Sequence, residues 1–208
     1  MSYFTLKLIA LITMVMDHIG ISYNLELFRI IGRLSFPIYA FLIVNGFNYS
    51  KNIKRYLSRL LIFAVISEIP FQLFKYNHIN LTFSNVFVTL SLGLIAIMLL
   101  KNYKNKVIKY LGVFLICVCS ELLGSDYGFR GVLLVVIFYL FRNRRSMQFI
   151  FMSILWICSY SLNGVFGLVS LVFIWIYNPR KYIKRKISKY FFYWFYPVHL
   201  LVLYLFSL

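Results

Sequence analysis

The sequence predicts an all-α fold: one polytopic transmembrane helical bundle over residues 1–208, of about nine spans (or eight with a re-entrant piece), with a cytoplasmic N-terminus. Three observations predict it. The chain is 62% hydrophobic, 20% aromatic and only 13% charged, against about 45–50% apolar and about 25% charged in a soluble domain. Its apolar runs recur at the length that crosses a bilayer, about 17–25 residues. Its bases fall in short clusters between those runs, as cytoplasmic loops do.

The spans lie near 4–23, 28–49, 56–74, 84–100, 107–123, 129–141, 147–161, 162–178 and 189–208. The first has only Lys7 upstream and no small-residue cleavage site, so it reads as a span and not as a cleaved signal peptide. The second is entered by Arg29 and Arg33 and contains Pro37; the third carries Glu68 and Pro70; the fifth ends near Glu121; Arg130 opens the sixth. The sixth and seventh are short, and only Ser159, Ser161, Asn163 and Gly164 mark the break between the seventh and eighth. The ninth holds Pro197 and His199. The prolines bend helices by freeing a carbonyl one turn back. Gly32, Gly46, Gly93, Gly131 and Gly167 read as close helix contacts.

Direction follows from the bases. Clusters at 51–59, 101–109, 142–145 and 180–189 all fall on one side of a nine-span chain, and Lys7 joins them. The opposite loops hold one base, Lys75. The net charge of +17 is therefore explained by topology and by anionic lipid headgroups, not by nucleic acid. Cys117, Cys119 and Cys158 sit in apolar runs without metal-ligand spacing and read as buried thiols. There is no soluble domain, repeat or linker, so function belongs inside the membrane or at its surfaces.

The five acids, Asp17, Glu26, Glu68, Glu121 and Asp126, all fall in the outer half of a span or in an outer loop. Asp17 and His18 stand side by side in the first span; His199 lies in the ninth, after Tyr196-Pro197. Ionisable groups in hydrocarbon must face one another or a wet cavity, and they mark function. An imidazole titrates near neutral pH and serves as a general base. Neighbouring residues on a helix point about 100° apart, so Asp17 pairs with an arginine as readily as with His18. Structural ion pairs, for example Arg33 with Glu68, are the plainer reading of the remaining charges. Two histidines with scattered acids make a weak metal set, and no metal is predicted.

The order of motifs resembles a known family. Met16-Asp17-His18-Ile19-Gly20 comes first, then Gly32-Arg33-Leu34-Ser35-Phe36-Pro37-Ile38-Tyr39-Ala40-Phe41. Ser67-Glu68-Ile69-Pro70-Phe71, Asn85-Val86-Phe87-Val88-Thr89-Leu90 and Asp126-Tyr127-Gly128 follow. Phe192-Tyr193-Trp194-Phe195-Tyr196-Pro197-Val198-His199-Leu200 closes the series. Over essentially its full length the chain resembles the TraX family of integral membrane proteins.

That resemblance implies a multi-pass acetyltransferase of the bacterial cytoplasmic (inner) membrane. It would use acetyl-CoA as cosubstrate and an extracytoplasmic peptide or glycan as acceptor. The implied catalytic residues are His18 with Asp17, His199 and Glu68; Arg33, Glu121, Arg130 and Tyr196 are placed at the substrate. The basic face, with Arg180, Lys181, Lys184 and Arg142, is placed at the CoA phosphates. The turn Tyr177-Asn178-Pro179-Arg180-Lys181 lacks the glycine expected after Tyr-Asn, which weakens its part in CoA binding. The alternative is a small proton-coupled transporter that uses the same intramembrane groups as a relay.

Overall fold

The computed structural model describes residues 1–79, 83–157, 162–179 and 189–206, and among them every regular element is a helix. Short polar side chains supply the acceptors that a first helical turn lacks. At α1 (Tyr3–Ser22), Ser2 Oγ accepts from the Thr5 N–H at 3.1 Å. At α4 (Ile53–Tyr76), Asn52 accepts from the Arg55 N–H, and Asn77 closes the helix in the left-handed conformation, φ 58°. Asn85 and Asn105 cap α5 (Val86–Asn102) and α6 (Lys106–Leu122) in the same way. Between α1 and α4 lie α2 (Glu26–Gly32) and α3 (Ser35–Tyr49). After α6 come α7 (Gly128–Leu140), α8 (Arg145–Ile157), α9 (Leu162–Val165), a 3-10 turn (Phe166–Val169), α10 (Ser170–Ile176) and α11 (Lys189–Phe206).

Among the described residues, helix falls in every expected span, with two differences. The run 28–49 is not one smooth helix: α2 and α3 are separated at Arg33–Leu34. Pro37 has no N–H for the Arg33 carbonyl four residues before it, which opens the ladder there. The run 162–178 is likewise divided, into α9, the 3-10 turn and α10. Pro70 and Pro197, by contrast, sit inside helices that continue through them.

Among the described residues, Tyr3–Ser22, the stretch Glu26–Tyr49 and Ile53–Tyr76 are long and apolar enough to cross a membrane; the other apolar helices are shorter. Large apolar side chains cover the outside, including Ile12, Val65, Val107, Phe114 and Leu122. α6 buries only Val113, Cys117 and Ser120. Such a surface belongs in lipid, and the chain is a membrane protein.

α5 is the centre of the bundle, packed on α3, α4, α6 and α7. Ile38, Leu94, Ile97, Leu134, Phe138 and Leu200 are completely buried in the core. Small residues set the helix spacing: a methyl on Gly93 would press to 2.7 Å from Val135 Cγ2, and one on Gly32 would overlap Asp17.

The two ends of the bundle differ in charge. At one end Arg142 donates to Tyr49 Oη at 3.1 Å, Arg145 donates to the Trp175 carbonyl at 3.0 Å, and Lys101 lies 5.1 Å from the Phe47 ring. The Met1 amine donates to the Ile176 carbonyl at 2.8 Å, which brings the start of α1 to the same end. The opposite end carries acids and bases together.

Candidate functional site

α1 presents Asp17 and His18 near its C-terminal end, and α11 brings His199 against them. His18 Nδ1 lies 2.8 Å from His199 Nε2, and both histidines are buried. His199 Nδ1 lies 2.8 Å from the Phe195 carbonyl oxygen, which can only accept. In the neutral pair this fixes the protons. His199 carries its hydrogen on Nδ1, its Nε2 accepts, His18 donates from Nδ1, and the His18 Nε2 keeps a free lone pair. The Phe74 ring meets His18 edge-on at 5.3 Å, and Tyr196 stands 6.2 Å away.

Two cavities lie near this pair: His18 lines one, and Tyr196, whose ring stands 6.2 Å from His18, lines the other. The polar one, about 490 Å³, is bordered by Asp17, His18, Arg29, Arg33, Lys75, Glu121, Asp126, Tyr127, Arg130 and Trp156. The aromatic one, about 480 Å³, is bordered by Tyr3, Lys7, Met14, Asn45, Tyr49, Tyr56, Arg59, Phe87 and Tyr196, among others. Both open along α1. Tyr3 and Lys7 line the aromatic cavity near the basic end, and His18 lines the polar one, a rise of about 22 Å from Tyr3.

The expected residues divide accordingly. His18 and His199 are in contact. Asp17 turns away from His18 and pairs with Arg29 at 2.9 Å, the arginine pairing that helical geometry allows. Arg33, Glu121 and Arg130 line the polar cavity; Glu121 also accepts from the Phe129 N–H at 3.2 Å and so caps α7. Tyr196 lines the aromatic cavity instead. Glu68 lines neither cavity and does not pair with Arg33. Its two oxygens accept from Gln72 (2.8 Å), the Ser84 N–H (2.9 Å), Ser84 Oγ (3.1 Å) and Asn85 Nδ2 (2.5 Å). That carboxylate ties α4 to the start of α5. Arg142 reaches the rim of the aromatic cavity through Tyr49. Arg180, Lys181 and Lys184 lie outside the described residues.

The sequence reading does not place Arg29, Lys75 or Trp156 at the site. Lys75 pairs with Asp126 at 3.2 Å, and its signal was available: the single base in loops otherwise free of them. Burial raises the Asp126 carboxyl above its ordinary range, while Lys75, Arg33 and Arg29 pull it down. Trp156 gives no signal in the sequence. Among the described residues no three histidine, cysteine or acidic side chains are grouped as a metal would need.

Comparison with known proteins covers the whole chain. The family described as TraX protein matches residues 2–207. A curated relative, the probable fimbrial assembly protein FimC, serogroup H1, of Dichelobacter nodosus, is 29% identical over 97% of this chain and 94% of its own. No solved structure matches.

Proposed function

We propose, starting from the fact that the chain belongs to the TraX family, that it is a multi-pass acetyltransferase of the bacterial inner membrane. In this reading about nine spans cross the bilayer with the basic end in the cytoplasm. Acetyl-CoA enters from that end, and an amine or hydroxyl of an extracytoplasmic acceptor enters the polar cavity. Pilin-type and other peptide N-termini or glycans are the acceptor classes; the fimbrial assembly name of the Dichelobacter relative supports the first.

The observation that carries the reading is the buried contact of His18, which lines the polar cavity, with His199, beside the Tyr196 ring that lines the aromatic cavity 6.2 Å from His18. A thioester arm suits the aromatic cavity, whose cations Lys7 and Arg59, with Arg142 at the rim, suit phosphates. The acceptor's N–H or O–H attacks the thioester carbonyl and gives its proton to His18 Nε2. The C–S bond then breaks, and the departing thiolate takes the proton, leaving free CoA and an acetylated acceptor. His199 holds the His18 ring and, through the Phe195 carbonyl, keeps Nε2 the basic nitrogen. This support comes from an imidazole, not from Asp17 or Glu68, whose carboxylates are engaged elsewhere.

The test is acetyl transfer from labelled acetyl-CoA by the purified protein, together with thermal stabilisation by acetyl-CoA. A ligand that binds the folded state must stabilise it. Substituting His18→Gln should lower transfer by about a hundredfold or more and spare the stabilisation. Full turnover by a folded His18→Gln protein overturns the proposal, and flux of protons without acetyl-CoA binding supports the transporter instead.

A further inference from the structure

We infer that the polar cavity binds an oxyanion, a phosphate or carboxylate carried by the acceptor, between Arg33 and the Trp156 indole N–H. This rests on the acetyl-transfer reading for the word acceptor. The oxyanion site itself rests on the charges and donors of the cavity.

Four cations and three carboxylates border the cavity. Asp17 is taken by Arg29 and Asp126 by Lys75. Glu121 accepts from the Phe129 N–H in the first turn of α7. Arg33 and Arg130 remain without an ion pair among the described residues, and Arg130 lies over the Phe129 ring at the exposed rim. Arg33 is the inner of the two. Its Nε is buried and makes no hydrogen bond. The Trp156 Nε1 is also buried and also bonds nothing, in a side chain only 8% exposed. Both residues line the cavity, and a methyl on Gly167 would stand 3.3 Å from the Arg33 backbone carbonyl oxygen and 3.5 Å from Trp156 Nε1.

Guanidinium and indole nitrogens donate and cannot accept. Buried donors without acceptors are rare, because each forfeits a hydrogen bond to water. What completes this site is therefore rich in acceptors, and the unpaired guanidinium makes it negative. A plain ammonium is disfavoured, since two of the three carboxylates are already held by cations. His18 borders the same cavity. An acceptor with an oxyanion a few bonds from its amine or hydroxyl would rest the anion on Arg33 and Trp156 and offer the nucleophile to His18.

The experiment uses the full-length protein in neutral detergent and four small probes: ethanolamine, phosphoethanolamine, β-alanine and dihexanoyl-phosphatidylethanolamine. Thermal unfolding titrations give an apparent affinity for each. Phosphoethanolamine or β-alanine should stabilise the protein and ethanolamine should not. Arg33→Gln should weaken that affinity by about tenfold or more, the scale of a lost charged hydrogen bond. Trp156→Phe keeps the ring and removes only the N–H, so it tests the site even if Arg33→Gln fails to fold; a severalfold loss is expected. Stabilisation by the lipid probe but not by the soluble ones assigns the oxyanion to a headgroup, and the reverse assigns it to a soluble or polymer-borne acceptor. Equal stabilisation by ethanolamine, or an anion effect unchanged in both variants, overturns the inference.

Acetyl transfer to the same probes separates this result from the parent reading. Anion binding lost in the variants, without any transfer, leaves the oxyanion site standing and removes the acetyltransferase. Transfer to ethanolamine as fast as to phosphoethanolamine does the opposite.

Discussion

Asp17 and Arg29 form an ion pair at 2.9 Å across the turn that joins α1 to α2, although His18 is the residue next to Asp17 in the chain. The two side chains are 14% and 28% exposed, so the pair is sheltered without being sealed. Replacing Asp17 by Asn strands a half-buried guanidinium. We expect a loss of about 1–2 kcal/mol, smaller than for a fully buried pair. The double variant Asp17→Asn/Arg29→Met should recover part of it. Thermal unfolding of wild type, the two single variants and the double variant measures the coupling, and additive losses would show that the pair contributes nothing.

The histidine pair makes separate predictions for its two members. His18→Gln should lower acetyl transfer by about 10²–10⁴-fold, the usual worth of a general base. His199→Ala removes only the positioning group, and a smaller loss should follow. Its signature lies in the pH profile. An imidazole base gives a rate that falls as pH drops through its titration. That limb should shift in His199→Ala, where the partner of Nδ1 is gone, and vanish in His18→Gln. A His199→Ala profile identical to wild type in position would exclude a positioning role for His199.

Glu68 should behave as a structural residue. In Glu68→Ala the Ser84 N–H, Asn85 and Gln72 lose their acceptor together. A destabilisation of about 2–3 kcal/mol is expected from these stranded buried donors. Specific activity per folded molecule should stay near wild type. A folded Glu68→Gln protein with no transfer would return Glu68 to the chemistry.

Gly32 is the contact point between α2 and the helix that carries the pair. A Cβ there overlaps Asp17 at both side chain and backbone, so Gly32→Ala must push the two helices apart. Overpacking of this kind costs about 1–3 kcal/mol. Because the displaced helix bears His18, transfer should fall more than stability does. Equal activity at lower thermal stability would separate helix spacing from site geometry.

Lys7 and Arg59 line the aromatic cavity at its basic side. Arg59→Gln should raise the KM for acetyl-CoA several-fold and leave kcat nearly unchanged, since a phosphate contact acts equally in ground and transition states. A fall in kcat alone would place Arg59 elsewhere.

The helices were readable because a bilayer-length apolar run is a coarse, robust signal. Each of the nine runs coincides with helix, and the small residues at Gly32, Gly46, Gly93 and Gly131 do sit against neighbouring side chains. The break at Arg33 was signalled only by Pro37, and a hydropathy pattern does not register a two-residue interruption. The convergence of His18, Asp17, Arg33, Glu121 and Arg130 at one end was legible from charge and span parity. What parity cannot supply is azimuth. Glu68 lies at a similar level to the site residues in the sequence reading, yet it turns to the start of α5, while the neutral Trp156 carries no charge to announce it. The nearest partner of His18 is 181 residues away, and no local pattern encodes that contact.

His18 borders the polar cavity and Tyr196 the aromatic one, their rings 6.2 Å apart, and Phe87 meets Tyr196 edge-on at 5.2 Å. In the proposed reaction these rings would do for permeability what a gate does in a channel, while leaving the thioester within reach of the acceptor. Trimming Tyr196 to Ala would join the two cavities into one conduit, and a cell bearing that variant would leak protons.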